Sequence, residues 1–150
     1  AMKVAIGNDT KGYDLKLALV EGLTRRGYEM VDFGCHGVLP IVDYPDYAKL
    51  VGEAVVRGEC ERGILICGTG IGMSIAANKI VGIRAALCYD VFPALLTREH
   101  NDSNVLCTGG FMMSPEKALE VAIQWLEMRF MGGAHQVRVE KISAMEQYRP

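Results

Sequence analysis

At 150 residues the chain has the length of one ordinary domain and needs no disulfide staples to bury a core. Half its residues are hydrophobic and 23% are charged, which excludes disorder; sixteen basic against eighteen acidic residues, with no basic tract, leave no footprint for nucleic acid. The longest apolar runs, such as Gly63–Cys67 and Ala85–Cys88, fall far short of the roughly 20 residues of a membrane span. The strand-like pattern starts at once and leaves no room for a signal peptide, so a cytoplasmic protein is expected.

Lys3–Ile6 reads as a first strand, entering the polar loop Gly7-Asn8-Asp9-Thr10-Lys11-Gly12. Leu15, Ala18, Leu19, Gly22 and Leu23 recur at helical spacing, and Gly27 is placed as a helix stop. Tyr28–Phe33 reads as a second strand and Gly34–Tyr44 as a loop, with Pro45 in the first turn of a helix reaching about Arg57. Gly63–Cys67 does not alternate, which predicts a strand buried on both faces. Gly68-Thr69-Gly70-Ile71-Gly72 leads into a short helix over Met73–Lys79. A fourth strand follows over Ile83–Cys88, then Asp90 as N-cap of a helix over Val91–His100, then a fifth strand over Asn104–Thr108. Ser114-Pro115 opens a helix whose Ala118, Val121, Ala122 and Trp125 share one stripe; Gly132-Gly133 breaks it, and a last helix is expected over His135–Tyr148. This alternation predicts an α/β fold: a three-layer, doubly wound, Rossmann-like parallel sheet of five strands with helices on both faces, one domain over residues 1–150.

In such sheets ligands bind at the carboxyl ends of the strands, which selects Asp9 and Thr10, Cys67 to Gly72, Asp90 and the helix end at His100-Asn101. Cys67-Gly68-Thr69-Gly70-Ile71-Gly72 is the most informative stretch. Glycines at alternate positions let successive backbone N–H groups turn toward one point and form an anion-binding nest. A thiol at its entrance feels the same positive field, which favours the thiolate and makes a usable base. The plainer reading is a buried strand-end cysteine followed by a tight turn. A dinucleotide fingerprint fails because Met73 stands where GxGxxG requires glycine, and a phosphate loop fails for want of Gly-Lys-Ser/Thr. The five cysteines, Cys35, Cys60, Cys67, Cys88 and Cys107, show no CxxC spacing, and the three histidines, His36, His100 and His135, show no metal-binding pattern. Neither metal nor cofactor is expected.

The run Gly63-Ile64-Leu65-Ile66-Cys67-Gly68-Thr69-Gly70-Ile71-Gly72-Met73-Ser74-Ile75-Ala76-Ala77-Asn78-Lys79 closely resembles the core of the type B ribose-5-phosphate isomerases, which belong with the galactose-6-phosphate isomerases. Asp43-Tyr44-Pro45, Arg98-Glu99-His100-Asn101-Asp102, and Gly132-Gly133 with His135-Gln136 and Arg138-Val139 match in order, so the resemblance spans essentially the whole chain. It implies a metal-free aldose–ketose isomerase working through an ene-diol, with ribose 5-phosphate and ribulose 5-phosphate as the leading pair. Cys67 would move the proton, and the backbone of Gly68, Gly70, Ile71 and Gly72 would hold the ene-diolate. Asp9, Thr69 and His100 would assist ring opening; Tyr44 and Asn101 would contact sugar hydroxyls; Thr10, His135 and Arg138 would meet the substrate's far end. The resemblance also implies a homodimer or homotetramer with the site between subunits, His100 and Asn101 reaching across, and helix 136–148 in the contact.

The departures from the family pattern concern the phosphate grip. Thr10 stands where histidine is common, and Phe111 and Ala134 stand where arginines are common. Phe111 then either packs on a sugar carbon chain or fills core. Two alternatives follow: an isomerase of a six- or four-carbon sugar phosphate or of an unphosphorylated sugar such as allose, and a non-catalytic flavodoxin-like sugar- or nucleotide-binding module.

Overall fold

The computed structural model describes Ala1–Pro150 and builds the alternation into one wholly parallel sheet. Its strands are β1 (Lys3–Asn8), β2 (Glu29–Asp32), β3 (Arg62–Cys67), β4 (Ala85–Leu87) and β5 (Val105–Gly109), in the order β2-β1-β3-β5-β4. The three inner strands, β1, β3 and β5, are buried along almost their whole length, as their unbroken apolar runs require.

Helices cover both faces. On one, α1 (Tyr13–Arg25), α4 (Val91–Asn101) and α5 (Pro115–Glu127) bury Leu15, Leu19, Leu23, Ala94, Val121 and Trp125 against Val4, Ile6, Ile64, Ile66 and Leu106. On the other, α2 (Tyr44–Val56) and α3 (Ile71–Ala77) bury Ala48, Val51, Ala54, Met73 and Ala77 against Ala5, Leu65, Val105 and Cys107. The alternate residues of one strand thus serve two cores, each side chain worth about 1.5–3 kcal/mol of burial. The chain leaves β1 toward one sheet edge and β3 toward the other, which opens a crevice between their carboxyl ends.

Several bounds differ from the sequence reading. The fourth strand keeps only Ala85–Leu87 of Ile83–Cys88, because side-chain amides take over its first N–H groups: Arg84 N–H donates to Asn104 Oδ1 (2.7 Å) and Ala85 N–H to Asn78 Oδ1 (2.8 Å). The last helix, α6, is Ala134–Ala144 rather than His135–Tyr148. Beyond it Met145–Gln147 tightens into a 3₁₀ turn in which Glu146 Oε1 accepts from Gly82 N–H at 2.9 Å. The expected polar loop after β1 contains a 3₁₀ turn, Thr10–Gly12. Lys16, in the first turns of α1, is buried with its Nζ on Asp32 Oδ2 (2.8 Å) and the Cys35 carbonyl (3.0 Å). No helix is long and apolar enough to cross a membrane.

Candidate active site

Directly after strand β1 comes Asp9, whose Oδ1 accepts the N–H groups of Lys11 (3.0 Å) and Gly12 (3.1 Å). An aspartate capping its own turn fixes both the turn and its carboxylate. The neighbouring strand β3 ends in Cys67, which is buried, and whose Sγ accepts the Gly70 N–H at 3.1 Å. A donor aimed at sulfur is the contact from which a thiolate gains most.

The loop closing on Cys67 is shaped by backbone proximity. Gly70 sits at φ +82°, and a Cβ there would stand 2.7 Å from the Thr108 carbonyl, so only glycine fits. Gly109, at the end of β5, is pressed on the Gly68 carbonyl, and Gly110 N–H donates to the Cys67 carbonyl at 2.8 Å. Tyr89 donates its hydroxyl to the Thr69 carbonyl at 2.6 Å. The anion nest expected from the glycines is selective: Gly70 N–H serves the sulfur and Ile71 N–H the Thr69 hydroxyl at 3.2 Å. The N–H groups of Gly68, Thr69 and Gly72 have no acceptor in the chain.

A cleft of about 420 Å³ opens here, lined by Asp9, Tyr44, Cys67, Gly68, Thr69, Ile71 and Gly72 among the expected residues. Tyr44, at the start of α2, lays its ring over Gly72 so closely that a Cβ there would meet the ring at 2.6 Å. Two expected neighbours act differently. Gly70 stays behind the loop, serving the thiol, and the Thr10 hydroxyl accepts the Val42 N–H at 3.4 Å, holding the segment before α2. Asp90 caps α4 through the Val91 N–H and pairs with Lys117, as its cap role predicts.

Phe111 lines the cleft and is 68% exposed, which rules out a core role for it. Lys11 also lines the cleft, although the sequence reading assigned it no function; its only signal was a cation two residues beyond Asp9.

His100, Asn101, His135 and Arg138 do not line the cleft around Cys67. They gather at a second place, where α6 packs on α4 and the His100 and His135 rings stack with centroids 4.2 Å apart and planes 9° from parallel. Arg98 secures that helix end: it is buried and donates to Asp102 Oδ1 (2.8 Å) and the Ser103 carbonyl (2.6 Å), while Asp102 turns left-handed at φ +49°. Asn101 and Arg138 are exposed, and Arg138 has no hydrogen-bond or ion-pair partner in the chain. Asn101 belongs to a larger hollow of about 560 Å³ with Asn78, Arg84, Ile142 and Met145.

Residues 4–142 match the ribose/galactose isomerase family. The chain is 48% identical to the ribose-5-phosphate isomerase B of Escherichia coli over 98% of both chains. It is 41% identical to the D-erythrulose-4-phosphate isomerase of Pectobacterium atrosepticum, over 97% of this chain and 95% of that one. The structure of Clostridium thermocellum ribose-5-phosphate isomerase B superposes with a TM-score of 0.95 at 51% identity, covering 97% of this chain and 98% of the other. A parallel α/β sheet with a thiol and a glycine loop at its switch point is thus the frame of a sugar isomerase. The chain belongs to the ribose/galactose isomerase family. It is an enzyme of the aldose–ketose isomerase type, which sets aside the non-catalytic module.

Proposed function

We propose that the enzyme interconverts ribose 5-phosphate and ribulose 5-phosphate, with Cys67 as the proton carrier. In the direction of the ketose, the Cys67 thiolate takes the proton from carbon 2 of the open-chain aldose, and the electron pair moves onto the carbonyl oxygen at carbon 1. The ene-diolate collapses as the thiol returns its proton to carbon 1 and the hydroxyl proton of carbon 2 passes to the oxygen at carbon 1, leaving the ketone at carbon 2, so no net electron or proton is gained and the thiolate is regenerated. The observation that carries the reading is the Cys67 sulfur held at 3.1 Å from the Gly70 N–H, beside three free N–H groups on one cleft wall. Preorganised donors of this kind lower the cost of a developing oxyanion by several kcal/mol.

Asp9 and Thr69, both on the cleft, serve ring opening, and Tyr44 meets sugar hydroxyls. His100 and Asn101 serve the site of a neighbouring subunit, because in their own chain they lie outside the cleft. The enzyme therefore works as a homodimer or a larger assembly. The exposed apolar side chains Ile75, Val81, Ile142 and Met145 offer a surface that such a contact would cover, which supports a role for α6 and the turn after it in the interface. Five unpaired thiols and a metabolic reaction suit the cytoplasm.

A second substrate reading has a specific observation behind it: one relative at 41% identity carries the name of a four-carbon sugar phosphate isomerase. Isomerisation assays across four-, five- and six-carbon sugars, each with and without phosphate, decide between them. Highest kcat/KM on ribose 5-phosphate is expected; a tenfold or greater preference for another sugar refutes that choice of substrate.

A further inference from the structure

Lys11 is the only basic side chain on the cleft. Its backbone is held on both sides: the N–H is on Asp9 Oδ1 at 3.0 Å, and the carbonyl is packed on Gly110 with no space for a side chain between. From this anchor the side chain crosses the residue after the thiol, its Cδ 3.3 Å from where a Cβ of Gly68 would stand. It carries Nζ to 5.8 Å from the centroid of the Phe111 ring, within cation–π range. None of the chain's ion pairs includes it. Asp9, the one acid on the cleft, directs an oxygen to two backbone N–H groups instead.

An ammonium anchored at its base, steadied by an aromatic face and left without a carboxylate can accept an anionic ligand. We propose that Lys11, seated on Phe111, binds the terminal phosphate of the substrate and thereby sets this enzyme's preference for phosphorylated over neutral sugars. This rests on the reading of the Cys67 cleft as the isomerase site. Lys11 and Phe111 form a matched pair: a guanidinium at 111 would repel the ammonium, whereas a ring attracts it and leaves its three donors free. A phosphate monoester brings close to two negative charges, which a compact ammonium meets as a point charge without the fixed geometry of arginine.

The test compares the intact enzyme with K11Q, K11R and F111A, using ribose 5-phosphate as substrate and inorganic phosphate as competitor. Circular dichroism checks the fold, which an exposed side chain at position 11 leaves unchanged. K11Q is expected to raise both the KM for ribose 5-phosphate and the inhibition constant of phosphate about 10- to 100-fold, the range of one charge-assisted contact. Its kcat is expected to fall far less. K11R is expected to restore both constants to within about fivefold, and F111A to weaken them about two- to fivefold. Ribose 5-phosphate turnover with KM and phosphate inhibition unchanged in K11Q, or a loss confined to kcat, overturns the role of Lys11 and leaves the isomerase reading standing. The opposite split is also readable with ribose 5-phosphate binding to C67A, measured by titration calorimetry: binding that is lost in the K11Q double variant, without turnover by the natural chain, keeps Lys11 and removes the substrate assignment. A natural chain that binds neither ribose 5-phosphate nor phosphate overturns the proposal.

Discussion

The two places that carry the expected site residues are built in opposite ways. Around Cys67 the chain closes on itself: strand ends meet through glycines, the sulfur has its donor, and Asp9 has two. At the α4–α6 corner the helix end is equally well secured by Arg98, yet Asn101 and Arg138 are exposed and Arg138 is unpaired. The difference separates positioning from completion. Both places hold their backbone firmly, but only the first has the side chains of its thiol and its acid answered within one chain.

The largest effect should come from breaking the closed half. Cys67→Ala is expected to lower kcat by about 10³-fold or more, in the upper range for removal of a positioned acid–base group, with the fold retained. Near-normal turnover in that variant would remove the thiol from the reaction.

Next comes the open half. His100→Ala should reduce kcat by about 10²-fold. Mixing it with Cys67→Ala should restore activity, since a hybrid dimer carries one site with both groups intact. Recovery that is absent after proven subunit exchange would mean that each site is completed by one chain.

Backbone fit ranks third. Gly70→Ala needs a left-handed residue with its Cβ against the Thr108 carbonyl, and should cost about 2–4 kcal/mol in thermal or urea unfolding. Arg98→Ala should cost about 1–3 kcal/mol because it leaves the Ser103 carbonyl without its donor, while Asp102 keeps Arg84 at 3.4 Å. In the Arg98 variant kcat should fall further than in an exposed control, because His100 loses its anchored helix end.

The mildest test sorts the thiols. Burial pushes the Cys88 thiol up to about 11 and raises Cys107 further, so neither ionises at pH 8. Cys60 is also raised by burial, and Cys35 is buried with its sulfur between the Asn8 side-chain amide (3.4 Å) and the Gly37 carbonyl (3.3 Å), whereas Cys67 lines the cleft. Iodoacetamide at pH 8 should therefore label one cysteine, Cys67, in step with loss of activity; mass spectrometry locates the adduct. Labelling of another thiol before Cys67 would contradict this ordering.

How much of this could be read from the sequence depended on whether the signal was local. β3, its glycine loop and the capped helices were legible because each rests on neighbours within a few residues, as Ser114 Oγ on the Lys117 N–H shows. The insertion of β5 between β3 and β4 was not, because pairing partners leave no mark on either strand. The burial of Lys16 left no local mark, because its partners, Asp32 and the Cys35 carbonyl, come from far along the chain. Asp9, Cys67, Thr69 and Tyr44 fell together in one cleft as expected, but Lys11 and Phe111 gain meaning only from each other. Their contact joins the loops after β1 and β5.

The floor of the cleft is almost pure main chain, with Gly109 against Gly68, Gly70 against Thr108 and Gly110 against Lys11. Such a floor has no side chains to exchange, so inherited change can enter only at the rim, through Lys11, Tyr44, Ile75 and Phe111. A lineage can then retune which sugar it accepts by single replacements there while the proton-moving apparatus stays as it is. Novelty in substrate and constancy in reaction become separable because they reside on different parts of the same loops.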